Sequence, residues 1–216
     1  MLNIKRFVFN FIEVNCYLLW DKTGEAVVID CGAFSEDERQ EITSFIKENN
    51  LTLRHQLYTH GHFDHIFGAQ YIADSYGILP TLHRDEADTY RAAAQQMQAF
   101  LHRSLPLSIP PVGTLLSDGE IIKFGTHTLR VISTPGHTAG GVCYYCAEEN
   151  ILLSGDSLFL CSIGRCDLPG GNEATLIAGL QQRILVLPPE TKVLPGHGDA
   201  TTIKNEQQTN PYLQTF

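Results

Sequence analysis

No stretch of the 216-residue sequence is apolar for long enough to cross a membrane as a helix, so no membrane partner is expected. The opening residues, Met1-Leu2-Asn3-Ile4-Lys5, lack the charged-then-apolar layout of a secretory signal, and the expected compartment is cytoplasmic. Charged residues are sparse at 18%, and no run of Lys or Arg occurs. With a net charge of -9 the surface repels phosphate backbones, so nucleic acid is not an expected partner. Low-complexity segments, linkers and short repeats are also missing, while 43% of residues are hydrophobic. That composition is globular, and the length suits one domain over residues 1–216. Neither Ser154 nor Ser157 sits in a Gly-x-Ser-x-Gly elbow, so a serine nucleophile is not expected. Nothing in the sequence sets an oligomeric state.

The six cysteines, at 16, 31, 143, 146, 161 and 166, lie mostly inside apolar segments. In a reducing compartment they read as small buried hydrophobes rather than disulfides. Cys143 and Cys146 have C-x-x-C spacing, but Gly-Val-Cys-Tyr-Tyr-Cys-Ala reads as a strand. Residues three apart on a strand face opposite ways and cannot close on one metal.

The first half is rich in strand signals. Phe7–Phe11, Cys16–Trp20 and Ala26–Ile29 are expected strands, with a turn at Asp21-Lys22-Thr23-Gly24. Ser35 and Glu38 have capping-box spacing, and Ile42, Phe45 and Ile46 form one apolar helical face. A strand at Leu53–Tyr58, a helix at Ile66–Tyr76, a polar helix near Asp85–Leu101 and a Pro-rich loop at Leu105–Val112 follow. The second half repeats the theme. Strands are expected at Ile121–Phe124, Thr128–Ser133, Gly141–Cys146, Ile151–Leu153 and Lys192–Leu194, with a helix over Glu173–Leu187 capped by Asn172. Several strands leading into helices, twice over, point to an α+β chain forming a four-layer αβ/βα sandwich.

The densest chemistry is Thr59-His60-Gly61-His62-Phe63-Asp64-His65, directly after an expected strand. Four potential ligands lie within six residues, and imidazole and carboxylate are what zinc takes at catalytic sites. Gly61 lets the backbone turn so that His60 and His62 converge. Three more apolar strands end in a Gly turn beside a His or Asp: Thr134-Pro135-Gly136-His137-Thr138, Ser154-Gly155-Asp156 and Pro195-Gly196-His197-Gly198. A single histidine after Gly is ordinarily a surface residue, and a single Asp a turn former. Four costly polar groups beside an apolar strand, with three matching strand ends, outweigh that reading. His55, His83, His102 and His127 lack this context and read as surface or core residues.

His60-x-His62-x-Asp64-His65, followed by His137, Asp156 and His197, resembles the metallo-β-lactamase superfamily, with Val28-Ile29-Asp30-Cys31-Gly32 similar to its early strand-turn. Gly155-Asp156-Ser157-Leu158-Phe159, Gly164-Arg165-x-Asp167-x-Pro169-x-Gly171 and Glu206 to Asn210-Pro211 are similar to motifs of the glyoxalase II-like hydrolases. The resemblance implies the metallo-β-lactamase fold and two divalent metal ions, expected to be zinc, with iron or manganese as alternatives. His60, His62 and His137 would hold one ion, Asp64, His65 and His197 the other, and Asp156 would bridge them. It implies a shared hydroxide that attacks the carbonyl carbon of a small-molecule thioester or ester, with Asp64 accepting the proton. Asp30 is expected to orient a ligand or simply to turn the chain. Arg165 is expected either to bind an anionic substrate group or to pair with Asp167.

The resemblance is partial. A counterpart of the C-terminal helices that bind glutathione in full glyoxalase II is not expected after His197, and Gly198-Asp199-Ala200 stands where that family has a substrate-touching Tyr. Persulfide dioxygenases, which use one iron on the same ligand types, lactonases and non-catalytic metal-binding proteins are the alternatives.

Overall fold

The computed structural model describes residues 1–102 and 107–214. The chain first lays down β1 (Asn3–Phe9), β2 (Val14–Trp20), β3 (Glu25–Ile29), α1 (Glu36–Glu48) and β4 (Thr52–Leu57). It continues through α2 (Phe63–Ile66), α3 (Ala69–Tyr76), β5 (Pro80–His83), α4 (Ala87–Arg91), α5 (Ala93–Leu101) and β6 (Thr114–Leu116). These six strands form one sheet in the order β1-β2-β3-β4-β5-β6, antiparallel up to β3 and parallel beyond it. Next come β7 (Ile121–Phe124), β8 (His127–Ser133), β9 (Val142–Cys146), β10 (Ile151–Gly155) and a small hairpin of β11 (Leu158–Phe159) and β12 (Ser162–Ile163). After α6 (Glu173–Gly179), the chain ends with β13 (Lys192–Pro195), β14 (Thr201–Thr202) and α7 (Ile203–Thr209). The second sheet runs β14-β13-β10-β9-β8-β7.

Alternation along each strand builds the layers, because successive side chains leave a strand on opposite faces. From β2, Tyr17 and Leu19 join Val27, Ile29 and Leu57 in a core shared with Leu129, Val131, Tyr144, Leu153 and Leu194 of the second sheet. The intervening Cys16 and Leu18 pack with Val28 against Ile42, Ile46 and Ile72 of α1 and α3. On the far side, Cys143, Leu152 and Val193 pack against Leu176, Leu180 and Ile203. The result is helix, sheet, sheet, helix, as the patterning anticipates. The same alternation separates Cys143, on the helix side, from Cys146, between the sheets, so they share no site. Ser35 caps α1 with the full reciprocal box to Glu38.

Several boundaries move for tertiary reasons. The expected strand Phe7–Phe11 stops at Phe9, since Asn10 turns left-handed at φ 56 and its amide donates to Gly32 O and Asp64 O. The helix expected over Ile66–Tyr76 is broken between α2 and α3 at Gly68, whose N–H donates to Cys31 O at 2.8 Å. A Cβ at Gly68 would lie 2.6 Å from Cys31 Sγ, so that crossing admits only glycine. The helix expected near Asp85–Leu101 is three pieces: a 3₁₀ turn at Arg84–Glu86, then α4 and α5 meeting at Ala92. That expected over Glu173–Leu187 ends at Gly179 and continues as a π-helical turn at Leu180–Ile184. Leu105 and Pro106 of the Pro-rich loop lie outside the described residues. Beyond them, Pro110 O accepts the Tyr90 hydroxyl at 2.8 Å.

Candidate metal centre

Four strands aim their C-terminal ends at one place. β4 leads to His60, His62, Asp64 and His65; β8 leads to His137; β10 leads to Asp156; and β13 leads to His197. The sheet pair fixes the strand ends, and the turns after them, with α2 for Asp64 and His65, carry these side chains.

The seven expected ligands do converge. His60, His62 and His137 form one cluster of mutually close donor atoms, Asp64, His65 and His197 form another, and His60, His65 and Asp156 form a third that joins them. His62 Nδ1 lies 3.0 Å from His137 Nε2, and His65 Nε2 lies 3.3 Å from His197 Nε2. His197 Nε2 is 3.3 Å from Asp64 Oδ2. Asp156 reaches both clusters: Oδ2 is 3.7 Å from His137 Nε2 and 3.6 Å from His197 Nε2, and Oδ1 is 3.4 Å from His65 Nε2. Two nitrogens that share a tetrahedral zinc at about 2.0–2.1 Å sit about 3.3 Å apart. The donor spacing therefore fits ions shared within each cluster.

Unpaired atoms give a second test of fit. His60 Nε2 and Asp156 Oδ1 are buried without a hydrogen-bond partner, the His65 approach to Oδ1 being off-axis. Such groups are costly unless something satisfies them. Both belong to the convergent set, so divalent cations fit this donor array of imidazoles and carboxylates.

The residues behind the ligands fix which ring nitrogen faces inward. His137 Nδ1 donates to Arg165 O at 2.7 Å, leaving Nε2 for the cluster. The Thr59 hydroxyl, which donates to Asp30 Oδ2 at 2.7 Å, accepts from His60 Nδ1 at 3.1 Å. Asp30 Oδ1 also accepts the Thr59 N–H at 2.8 Å, and Oδ2 lies 3.1 Å from His65 Nδ1, off the hydrogen-bond axis. Asp30 sits at φ 53, where the chain turns, and its carboxylate lies beside Thr59 and His65 of the centre.

His197 is held from the other sheet. Asn15 N donates to Gly196 O at 2.7 Å, while its side-chain amide donates to Pro195 O and Gly198 O, each at 2.9 Å. The Tyr17 hydroxyl also donates to Pro195 O, at 2.8 Å. Sequence reasoning missed Asn15 and Tyr17. The available signal was an amide inside the apolar run Val14-Asn15-Cys16-Tyr17-Leu18, since a buried amide requires partners.

Charge is balanced locally. Burial works against the ionised Asp156, but His65, His197 and His60 outweigh it and hold the carboxyl well below its usual range. Asp64 is likewise lowered by His65 and His197 against burial. Burial also opposes charge on His65, yet Asp156, Asp64 and Asp30 raise it well above an ordinary histidine. Burial pushes His60 down, and burial with neighbouring His137 takes His62 to about 4. Arg165 stands apart from this set. Its guanidinium is exposed and doubly bonded to Asp167, both contacts at 2.7 Å, and only its backbone oxygen enters the centre.

His127 is buried between Asp21 and Glu149, remote in contact from the ligands, and His83 bonds the Ser133 hydroxyl. Among the described residues, no helix is long and apolar enough to cross a membrane.

Comparison with known proteins agrees with this geometry. A probable metallo-hydrolase of Bacillus subtilis, YqgX, is 36% identical over 95% of this chain and 94% of its own. The hydroxyacylglutathione hydrolase GloC of Haemophilus influenzae is 30% identical over 99% of each chain. Among solved structures, BLEG-1, described as a B3 metallo-beta-lactamase, superposes with a TM-score of 0.90 at 36% identity, covering 99% of this chain and 100% of that one. TTHA1623, solved in a di-iron-bound form, gives 0.85 at 34%, covering 97% and 100%. The sequence matches the family description "Metallo-beta-lactamase superfamily" over residues 10–197, and the chain belongs to that superfamily.

Proposed function

We propose that the chain is a metallo-hydrolase that cleaves a small-molecule thioester, with related esters as secondary substrates, at a two-metal centre. The observation that carries this reading is a three-histidine cluster beside a cluster of Asp64, His65 and His197, with Asp156 within reach of both. Structural zinc sites are usually rich in cysteine and closed by four ligands, whereas this donor set is all imidazole and carboxylate. Bound there, two divalent cations would supply Lewis acidity and make a water nucleophilic near neutral pH. Zinc is the proposed metal, and the di-iron form of TTHA1623 keeps iron as the competing assignment.

The protein's own part is positional. His60, His62 and His137 hold one side of the centre, and Asp64, His65 and His197 the other, with Asp156 between. Water would add to the carbonyl carbon with its proton passing to Asp64; collapse then breaks the C–S bond, the departing thiolate takes the proton back from Asp64, and the carboxylic acid formed ionises to a carboxylate. No residue forms a covalent intermediate. The thioester assignment rests on likeness to GloC and on the motifs around Asp156 and Arg165. Arg165 would bind an anionic group of the substrate by exchanging its exposed partner Asp167, a pair worth little in water. Nucleic acid and membranes have no part in this reading.

BLEG-1 supports a second reading, hydrolysis of a β-lactam amide. Turnover of S-lactoylglutathione, an acyl lactone and a chromogenic cephalosporin, each with and without a chelator, separates the readings. Chelator-sensitive thioester hydrolysis exceeding the other two is expected. Cephalosporin turnover alone replaces the thioester reading, and oxygen uptake with glutathione persulfide replaces hydrolysis altogether.

A further inference from the structure

Glu86 is fully buried, and nothing in the hydrolytic scheme uses it. It lies in the 3₁₀ turn Arg84–Glu86 between β5 and α4. Its Oε1 accepts the Gly61 N–H at 3.0 Å. Its Oε2 accepts the Thr138 hydroxyl at 2.9 Å and the Gly140 N–H at 2.8 Å. Gly61 separates His60 from His62, and Thr138 follows His137. One carboxylate thus spans the two turns, from different sheets, that carry all three histidines of one cluster.

Close packing on both sides makes the arrangement specific. A Cβ at Gly61 would meet Tyr90 N at 2.5 Å, and one at Gly140 would meet Glu86 N at 2.4 Å. The backbone of residues 84–90 is therefore wedged between the two turns, with the Glu86 side chain tying it to each. A buried carboxylate is costly by itself, and burial raises the Glu86 carboxyl above its ordinary value, with the Gly61, Thr138, Gly140 and Thr89 hydrogen bonds offsetting only part of that. Packing alone would be served better by an apolar residue. A buried carboxyl kept here, with three of its hydrogen bonds coming from the Gly61 and Thr138–Gly140 turns, points to a role in setting those turns.

We infer that Glu86 is a positioning residue for the His60–His62–His137 cluster, setting its geometry through the Gly61 and Thr138–Gly140 turns without touching an ion or the substrate. The inference rests on the two-metal reading and assigns Glu86 to one cluster only. The turn bearing His197 has separate support from Asn15 and Tyr17, and His65 faces Asp30.

The test is titration of metal-free protein with cobalt(II), followed by visible absorption and dialysis equilibrium. Wild-type protein taking up two equivalents per chain establishes the reading on which the inference stands, and uptake of none or one sinks that reading itself. Glu86→Gln keeps the shape but places an amide N–H₂ against N–H and O–H donors. One equivalent is expected to weaken by about tenfold or more, as for loss of a residue supporting a metal ligand, with an altered cobalt spectrum. The other equivalent keeps its affinity. Thr138→Val, which removes a single donor, is expected to weaken the same equivalent to a smaller extent. Two wild-type-like equivalents in Glu86→Gln, or equal weakening of both alongside a fall in Tm, would show that Glu86 only packs.

Discussion

At the level of single residues, Asp156 is the position on which most depends, because its two oxygens lie within 3.7 Å of histidines from both clusters. Asp156→Ala is expected to lose metal and hydrolysis together, with activity down at least about a hundredfold, the upper range for support around a metal. Full turnover with a full metal complement would remove its bridging role. Arg165 poses a different question, since its side chain is exposed and already paired with Asp167. Arg165→Ala is expected to raise KM for an anionic thioester several-fold with kcat nearly unchanged, the pattern of lost uniform binding. An unchanged KM would leave Arg165 with only its backbone contact to His137.

At the level of elements, the turns that carry the candidate ligands were legible in the sequence because their chemistry is local. A Gly turn beside His or Asp at the end of an apolar strand can be read without a partner in view, and it marks His60, His62, Asp64, His65, His137, Asp156 and His197 as candidates, which the fold brings together. What was not legible depends on distant contacts. β5 and β6 are only four and three residues long and carry no usable alternation, and they exist by pairing in parallel beyond β4. The break at Gly68 answers Cys31, and Glu86 finds its donors 25 and 54 positions away. Asn15 and Tyr17 support a turn some 180 residues on, which no local pattern announces. Gly61→Ala probes an element contact directly, since the new Cβ would press on backbone of α4 rather than on a flexible side chain. A stability loss of about 1–3 kcal/mol is expected from denaturant unfolding, accompanied by weaker metal retention. Unchanged stability would mean that α4 and the His60–His62 turn separate freely.

At the level of the whole molecule, the two sheets are joined at their far end by a hydrogen-bonded network around the buried Asp21 and His127. Asp21, in the turn after β2, accepts from Thr23 and from Thr126 N and Oγ1, the last two each at 2.6 Å, and pairs with His127 at 3.2 Å. His127 also meets Glu149 at 3.0 Å. Burial opposes the Asp21 charge, but these donors outweigh it and lower the carboxyl far below its usual range. A depressed folded pKa contributes stability above the unfolded value of about 3.9, and that stability is lost as pH falls below it. Asp21→Asn is therefore expected to cost about 2 kcal/mol or more at neutral pH, with the gap from wild type closing as pH drops below about 4. A gap that stays constant with pH would assign the loss to packing alone.

The framework that results is rigid where it presents ligands: a core between two six-stranded sheets, and four strand ends aimed at one centre. The claim on which the functional reading stands is that this centre holds two divalent ions that hydrolysis requires. Elemental analysis of the purified protein, with S-lactoylglutathione turnover followed through chelation and reconstitution, tests it most directly. The expected result is close to two zinc ions per chain, with turnover lost on chelation and restored by zinc. A single iron per chain with no turnover, or full turnover by metal-free protein, would contradict it.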